Sequence, residues 1–254
     1  MKTPMCTHVL LTGSLLLALG LTCRAQSWQT VNDYQLDTNY YTYGSAIAAG
    51  GPSNYVFAAG WMPFDAEFEK SGVVRRSINQ GATWETVDTF FGLAEPMFPS
   101  ILALAVSPTG PVVLVGSART GVDRPRWLVR LSADGGTTWA TVDDFVHTAG
   151  MVCAANAVDI AADGTIYVAG FALDDNFAYH WLVRRSIDAG NSWETVTDET
   201  FGRATGPLTG LKLTRTGIFL TGFWSQGNGI ETWRVARSTN QLASWSVVDN
   251  WLFP

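Results

Sequence analysis

A tryptophan-led segment recurs through the whole chain at a nearly constant interval. Each copy begins with Trp and continues into a short β-branched run, as in Trp84-Glu-Thr-Val and Trp139-Ala-Thr-Val. The leading residues are separated by 52 to 56 positions, and they are Trp28, Trp84, Trp139, Trp193 and Trp245. A glycine marker recurs with nearly the same period, at Gly60, Gly116, Gly170 and Gly222. Because two independent markers share one period, the sequence predicts a repeat protein with a unit of about 54 residues.

Each repeat unit contains four short β-rich runs separated by turn residues. In the third copy, Ala157–Ala161 alternates in polarity and ends at the hairpin dipeptide Asp163-Gly164, after which Thr165–Ala169 follows. Trp181–Ser186 and the run led by Trp193 complete the unit. No segment has a sustained 3.6-residue period, so little helix is expected. A four-stranded antiparallel unit repeated radially is a propeller blade. We therefore predict an all-β fold, a β-propeller with about four blades visible.

The predicted repeats lie near residues 45–92, 101–147, 157–202 and 208–254, with an extra amino-terminal outer strand at 28–33. That extra strand has no inner strands of its own, and two interpretations stay open. Either the chain is a larger, truncated propeller whose further carboxy-terminal blade is missing or supplied by another chain, or it is a four-bladed ring with a spare strand. A truncated propeller exposes two sheet edges, and such edges favour self-association. A stack of separate β-sandwiches is disfavoured, because the repeat is too short for a sandwich of roughly 100 residues.

Residues 1–25 have the features of a secretory signal peptide. Lys2 precedes the apolar run Val9–Leu21, and small residues lie before a cleavage site near Ala25–Gln26. The run of 13 residues is too short to cross about 30 Å of hydrocarbon, which disfavours a membrane anchor. No later stretch is long and apolar enough to span a membrane. We therefore expect a secreted domain, residues 26–254, in an extracellular or periplasmic space.

Cleavage of this segment changes the cysteine count and the charge. It leaves Cys153 as the single cysteine, so no intrachain disulfide is expected. The apolar neighbours of Cys153 indicate a buried hydrophobic residue rather than a nucleophile. Cleavage also removes Lys2 and Arg24, which moves the formal net charge from −6 to −8. An acidic chain without a basic stripe excludes a nucleic-acid partner.

A short motif occupies the turn before each of the last four leading tryptophans. It reads Ser, then Asp or Asn, then Gly, then Trp at fixed spacing. Its members are Ser77, Asn79, Gly81 and Trp84; Ser132, Asp134, Gly136 and Trp139; Ser186, Asp188, Gly190 and Trp193; and Ser238, Asn240 and Trp245. The fourth copy has Leu242 in place of Gly. A short Asp or Asn side chain accepts hydrogen bonds from its own turn, and Gly takes the left-handed conformation that the turn needs.

This motif resembles the Asp-box, also called the bacterial neuraminidase repeat (BNR), of sialidase-like β-propellers. The resemblance covers residues 28–254, and it implies that the boxes are structural rather than catalytic. Asp134 or Asp188 could alternatively bind a metal ion. A hairpin in which the Asp side chain bonds to its own turn is favoured. With three histidines in all, one of them in the leader, the sequence predicts no metal and no cofactor.

The predicted topology places function on one face of the molecule. The loops between the second and third strands share that face with the crossings between blades, and long loops on a rigid scaffold commonly carry binding sites. The candidate ligand-binding residues there are Trp61, Asp65, Arg124, Phe171, Asp174, Asp175, Tyr179, His180, Arg203, Trp224 and Glu231. Their aromatic rings could stack on sugars while the carboxylates bind hydroxyl groups. The alternative is that the aromatic residues pack between blades and the acidic residues are solvated.

The resemblance to sialidases also allows a test of catalysis. Members of that family surround the substrate carboxylate with three arginines, use a Tyr–Glu pair and an Asp acid/base, and usually carry an Arg-Ile-Pro motif. That motif is missing here, and Arg75, Arg130 and Arg184 recur at one repeat position, which indicates a role in strand structure. The catalytic residues therefore stay unknown, and an enzymatic role is disfavoured.

Three functions follow from the sequence in order of preference. The first is a secreted, non-catalytic module that binds a glycan or an extracellular protein through its long-loop face. The second is a sialidase-like glycoside hydrolase with a diverged or incomplete site. The third is a purely structural repeat protein of a surface or assembly.

Overall fold

The computed structural model describes residues 29–34, 41–63, 70–90, 99–119, 124–200, 205–225, 231–240 and 242–252. One unit runs from Val31 to Pro254 and holds all sixteen strands, while Gln29 and Thr30 belong to a separate amino-terminal unit. The predicted signal peptide and Trp28 lie outside the described residues. Within the described ranges the structure contains no helix, and therefore none that could cross a membrane.

The strands form four antiparallel sheets, each with four strands in chain order, and we call these sheets blades 1 to 4. Blade 1 contains β1 (Tyr43–Gly50), β2 (Tyr55–Pro63), β3 (Lys70–Ser77) and β4 (Glu85–Phe90). Blade 2 contains β5 (Ser100–Val106), β6 (Val112–Ala118), β7 (Arg126–Ser132) and β8 (Ala140–Phe145). Blade 3 contains β9 (Cys153–Ile160), β10 (Ile166–Leu173), β11 (Tyr179–Ser186) and β12 (Glu194–Thr200). Blade 4 contains β13 (Thr205–Thr214), β14 (Gly217–Ser225), β15 (Glu231–Ser238) and β16 (Ser246–Leu252). The predicted all-β class and four-stranded unit are confirmed.

The recurring glycine of the second strand has a steric cause. The first strand carries a register shift opposite it, as between Ile101 and Ala103. This irregularity brings a carbonyl oxygen so close that a Cβ on Gly116 would lie 2.0 Å from the oxygen of Ser100. The same close approach occurs at Gly170, where the oxygen is that of Ala154. A larger residue at this position would force the two strands apart.

Successive blades pack face to face through three apolar cores. The first strands lie side by side, with β1 next to β5, β5 next to β9 and β9 next to β13. One core joins blades 1 and 2, a second joins blades 2 and 3, and a third joins blades 3 and 4. Among the described residues, no comparable packing joins blade 4 back to blade 1.

Third-strand tryptophans fill the space between neighbouring blades. Trp127 is fully buried, and a Cβ on Gly170 of the next blade would lie 2.8 Å from its ring. Trp181 is only 1% exposed and stands in the same relation to Gly222, at 2.6 Å. The equivalent tryptophan of blade 4, Trp233, is 53% exposed.

Arginine–aspartate pairs add a polar link between the blades. Arg184 of blade 3 donates from Nε and Nη2 to the carboxylate of Asp143 in blade 2, at 2.7 and 2.9 Å. Arg130 of blade 2 makes the corresponding pair with Asp88 of blade 1, at 3.0 and 2.8 Å. Arg130 and Arg184 therefore act in blade packing, whereas Arg75 bonds within blade 1 to Thr86 and to the oxygen of Trp84.

Candidate functional site

The turns that carry the Ser–Asp–Trp motif satisfy their own backbone. In blade 2, Asp134 accepts hydrogen bonds from the backbone N–H groups of Thr137 and Thr138 and from the hydroxyl groups of Ser132 and Thr138. The backbone N–H of Thr138 contributes most, and together these bonds lower the pKa of Asp134 to about 2. Trp139 closes the turn by donating from its indole N–H to the oxygen of Gly136 at 3.2 Å.

The same side-chain bonds recur in blade 3. In blades 1 and 4 the amide oxygen of Asn79 or Asn240 accepts the bonds from the serine hydroxyl and the backbone N–H, while the amide nitrogen donates to the hydroxyl at the end of the turn. In blade 4, Trp245 donates to the hydroxyl of Thr197 in blade 3 and not to its own turn. Gly136 has a φ of 90°, which glycine adopts without strain. Leu242 occupies the corresponding position in blade 4 with a φ of 73°, and its side chain is buried. These turns therefore use their carboxylates internally.

The candidate ligand residues divide among the blades. Trp61 lies in blade 1, where its ring stacks on Tyr43 at 4.3 Å. Trp224 and Glu231 lie in blade 4, and Arg124 is an exposed residue just before β7. Asp65 and Arg203 lie outside the described residues.

Blade 3 brings together Phe171, Asp174, Asp175, Tyr179 and His180, the remaining candidates, around the end of β10 and the start of β11. The rings of Phe171 and Tyr179 lie 5.4 Å apart. Asp174 accepts the backbone N–H groups of Asn176 and Ala178, both at 2.8 Å, and this fixes the loop. The bond from Ala178 is the main cause of the lowered pKa of Asp174. Asp175, by contrast, is exposed in the same loop.

Two further residues complete this site, and the sequence analysis missed both of them. Asp198 of β12 lies with one carboxylate oxygen 2.6 Å from Nδ1 of His180 and the other 3.1 Å from Nε2 of His147. The two imidazole rings lie 4.5 Å apart, and Nε2 of His180 is 3.7 Å from Asp174. We call these four residues the His–Asp cluster. The sequence gives one indication of this cluster, namely that His147 and His180 are the only histidines after residues 1–25.

Strand pairing and the blade crossing position the cluster. Leu182 of β11 pairs with Asp198 of β12, which places His180 close to Asp198 at one end of blade 3. His147 comes from the crossing between β8 and β9, and the backbone N–H of Leu173 anchors that crossing by donating to the oxygen of Val152 at 2.9 Å. Burial acts to raise the pKa of Asp198, but hydrogen bonds from His180 and His147 outweigh it, so this pKa is lowered.

A second polar pair lies at the loop end of blade 2. Arg126, the first residue of β7, bonds to Asp144 of β8 at 2.9 Å. Burial raises the pKa of Asp144 despite this arginine. Cys153 is buried, accepts the backbone N–H of Trp127 and has a pKa raised by burial. The thiol is therefore protonated and enclosed, which agrees with the predicted packing role.

The fold of this protein, unlike its sequence, is similar to known proteins. No model of a protein family matches the chain, and no curated protein matches it. Among solved structures, an α-L-arabinofuranosidase from Fusarium graminearum bound to an iminosugar inhibitor aligns with a TM-score of 0.64 and 12% identity over 84% of this chain and 68% of its own. An α-L-arabinanase from Penicillium chrysogenum with arabinobiose aligns with a TM-score of 0.61 and 15% identity, over 83% and 68% of the two chains.

The Trypanosoma rangeli sialidase, solved as a covalent intermediate, aligns with a TM-score of 0.58 and 14% identity. The match covers 81% of this chain but 37% of the sialidase, so the chain spans little more than a third of that enzyme. Identities this low define the fold alone. The protein has the β-propeller fold that sialidases and arabinan-degrading glycosidases share.

Proposed function

We propose that this protein binds a carbohydrate at the loop end of blade 3. The observation that carries the proposal is that the Phe171–Tyr179 ring pair lies on the two strands that the Asp174 loop joins, so rings and carboxylates share one end of blade 3. Aromatic faces stack on sugar rings, and fixed carboxylates accept hydrogen bonds from hydroxyl groups. The solved neighbours add support, because they include complexes with arabinobiose and with sialic acid.

Binding is tested by titrating the secreted protein with arabino-oligosaccharides and sialosides in a calorimeter. We expect Tyr179→Ala to weaken binding about tenfold, because it removes an apolar aromatic face; a tenfold loss corresponds to about 1.4 kcal/mol. Tyr41→Ala is the matched control, because Tyr41 is an exposed aromatic residue that precedes blade 1. Equal loss in both variants, or no binding to any glycan, would contradict the proposal and leave a purely structural repeat as the better description.

A second candidate function is glycoside hydrolysis of the class that the neighbours perform. Asp144 favours it, because burial holds the pKa of this carboxyl group above its ordinary value, the direction that a general acid requires. Chromogenic arabinofuranosides and sialosides are the substrates to use. Turnover that Asp144→Asn abolishes and Asp163→Asn, a change in the exposed β9–β10 turn, preserves would establish an enzyme, whereas no turnover favours the non-catalytic module.

Two further proposals start from the sequence: that the protein is secreted after cleavage of its leader, and that its turns belong to the Asp-box class. The leader supports secretion after cleavage near Ala25–Gln26, and sequencing the amino terminus of the secreted protein tests it. The Ser–Asp–Trp turns support membership of the Asp-box class, because the motif recurs at the blade period and its side chains bond within the turn.

A further inference from the structure

The imidazole nitrogens and the carboxylate of His147, His180 and Asp198 converge at one point of the loop face. One ligand atom from each residue lies within 4.8 Å of the others. Tetrahedral coordination with bonds of about 2.0–2.1 Å places ligand atoms roughly 3.3 Å apart, so small side-chain rotations bring the three onto one ion. We propose that these residues hold a divalent transition-metal ion of the zinc type.

The remaining nitrogen of His147 has an oxygen partner that can fix the ring, whereas that of His180 is buried beside a carboxylate without a hydrogen bond. Nδ1 of His147 lies 2.9 Å from the hydroxyl of Thr148, and Nε2 of His180 faces the carboxylate of Asp174 at 3.7 Å. Metal-binding histidines typically have such outer partners, which set the tautomer and the orientation of the ring. The cluster thus contains the three ligands, a hydrogen-bonded support for His147 and a more distant carboxylate beside His180.

The donor types select among metal ions. Two imidazoles and one carboxylate suit Zn²⁺, Ni²⁺ or Co²⁺, whereas Ca²⁺ and Mg²⁺ prefer oxygen donors alone. The side chain of Asp198 is 42% exposed, so one side of the cluster faces solvent. A fourth coordination position there could accept water or a ligand hydroxyl group. The metal site does not depend on the proposed glycan binding, although it lies on the same face.

The test is a titration of the dialysed full chain with Co²⁺, whose visible absorption reports four-coordinate binding to imidazole nitrogen. We expect one ion per chain, with displacement by Zn²⁺. His180→Ala and Asp198→Asn should each abolish the absorption, while Asp174→Asn should weaken binding by about 10- to 100-fold. Asp163→Asn is the matched control, because Asp163 lies in the β9–β10 turn at the opposite end of blade 3.

Circular dichroism of each variant separates metal loss from unfolding. The proposal is overturned if the folded wild type binds no Co²⁺, or if Asp198→Asn binds it as well as the wild type does. Both results leave glycan titrations unaffected, so failure here and failure of the proposed function are distinguishable.

A different observation concerns the exposed face of blade 4, which carries the tryptophan that blades 2 and 3 bury and the aspartate that blades 1 and 2 pair with arginine. Trp233 corresponds to the buried Trp127 and Trp181, and Asp249 corresponds to Asp88 and Asp143, as the strand pairing shows. No described residue forms an ion pair with Asp249. Blade 4 therefore presents both the tryptophan and the carboxylate of an interface between blades.

Blade 1 presents the complementary half. Gly60 is the blade 1 equivalent of Gly170 and Gly222, against which a tryptophan of the preceding blade packs. It lies beside a cavity of about 340 Å³. Arg75 corresponds to Arg130 and Arg184; its Nη1 and Nη2 bond to Thr86 and to the oxygen of Trp84, and its Nε is buried without a hydrogen-bond partner. The structure assigns these two faces to each other: blade 4 of one copy docks on blade 1 of a second copy, and Asp249 pairs with Arg75 of that copy.

Residues Val31–Tyr34 occupy part of this face on blade 1. Tyr34 lies over the guanidinium of Arg75 at 4.1 Å, as Phe145 lies over Arg184 at 3.9 Å. Asn32 lines the same cavity and follows Trp28 by four positions, as Asp249 follows Trp245, so it occupies the repeat position of the carboxylate. Docking thus requires the fourth strand of the second copy to replace this segment, and Tyr34→Ser should strengthen association.

Sedimentation over a concentration series tests the docking. We expect reversible association of the wild type, loss of association in Asp249→Arg and in Arg75→Asp, and recovery when the two variants are mixed. Phe177→Ser, which removes an exposed aromatic residue of blade 3, should leave association unchanged. A monomer at every concentration, or association that Asp249→Arg does not alter, contradicts the proposal.

Discussion

At the scale of single residues, the four Ser–Asp–Trp turns show how one side chain can organise a hairpin. Asp134 and Asp188 accept several bonds each, and Asn79 and Asn240 provide the same acceptor without a titrating proton. This division between acid and amide allows the contribution of ionisation to be measured inside one molecule.

The pH dependence of stability should carry the signature of these two aspartates. The pKa of Asp134 falls from 3.8 to about 2 on folding, and that of Asp188 is also lowered. A carboxyl group whose pKa is lower in the folded state stabilises the fold at pH values above its unfolded-state pKa. This stabilisation is lost as the pH falls from about 4 to about 2. We expect the double variant Asp134→Asn, Asp188→Asn to lose less stability over this range than the wild type.

Urea unfolding at pH 4 and at pH 2 measures the difference. Asp175→Asn is the control, because Asp175 is exposed and lies outside the turns. Parallel pH profiles for the wild type and the double variant would show that the turns do not supply this stability.

The hydrogen-bonding residues of the turns could be predicted from the sequence, whereas the residues of the His–Asp cluster could be predicted only in part. The bonds of each turn join residues within four positions of one another, so the motif itself indicated them. His147 and Asp198 are 51 positions apart, and nothing local marks Asp198 as the partner of two histidines. The candidate list therefore contained Asp174 and His180 but not the residues that join them.

At the scale of elements, the blade interface depends on its tryptophan. We expect Trp181→Ala to destabilise the fold by about 3–5 kcal/mol, because it leaves a cavity beside Gly222. Trp233→Ala is the matched variant at the same repeat position, and its side chain is half exposed, so a much smaller loss is expected. Equal losses in chemical unfolding would show that Trp233 is covered in solution.

The arginine–aspartate pairs should be costly to break from one side. Arg184 and Asp143 are less than a tenth exposed, so removing one partner leaves a buried charge and should cost about 3–5 kcal/mol. Replacing both residues, as in Arg184→Met with Asp143→Leu, should restore much of that loss. A double-mutant cycle by urea unfolding measures the coupling, and additive effects would contradict a direct pair.

Strand existence and repeat boundaries follow from periodicity, but contacts between blades do not. The recurrent arginines indicated a structural role, yet the sequence did not identify Asp88 and Asp143 as their partners, because each partner lies in the preceding blade. The glycine marker was visible, and only the structure explains it, through a carbonyl oxygen on the neighbouring strand.

At the scale of the whole molecule, stability is divided among three cores, each shared by two adjacent blades. Such an arrangement couples nearest neighbours most strongly, as in other repeat proteins. A change in one core should therefore loosen its own interface before it affects the others. The single described cysteine allows one of these interfaces to be observed separately.

Cys153 lies in the core between blades 2 and 3, is 1% exposed and has a pKa raised by burial. We expect it to react with a thiol reagent far more slowly in the native protein than in urea, because labelling requires these blades to separate. Trp127→Ala removes the ring packed in the same core and should accelerate labelling, while Trp233→Ala on blade 4 should not. Acceleration by both variants would mean that the blades open together as one cooperative unit rather than interface by interface.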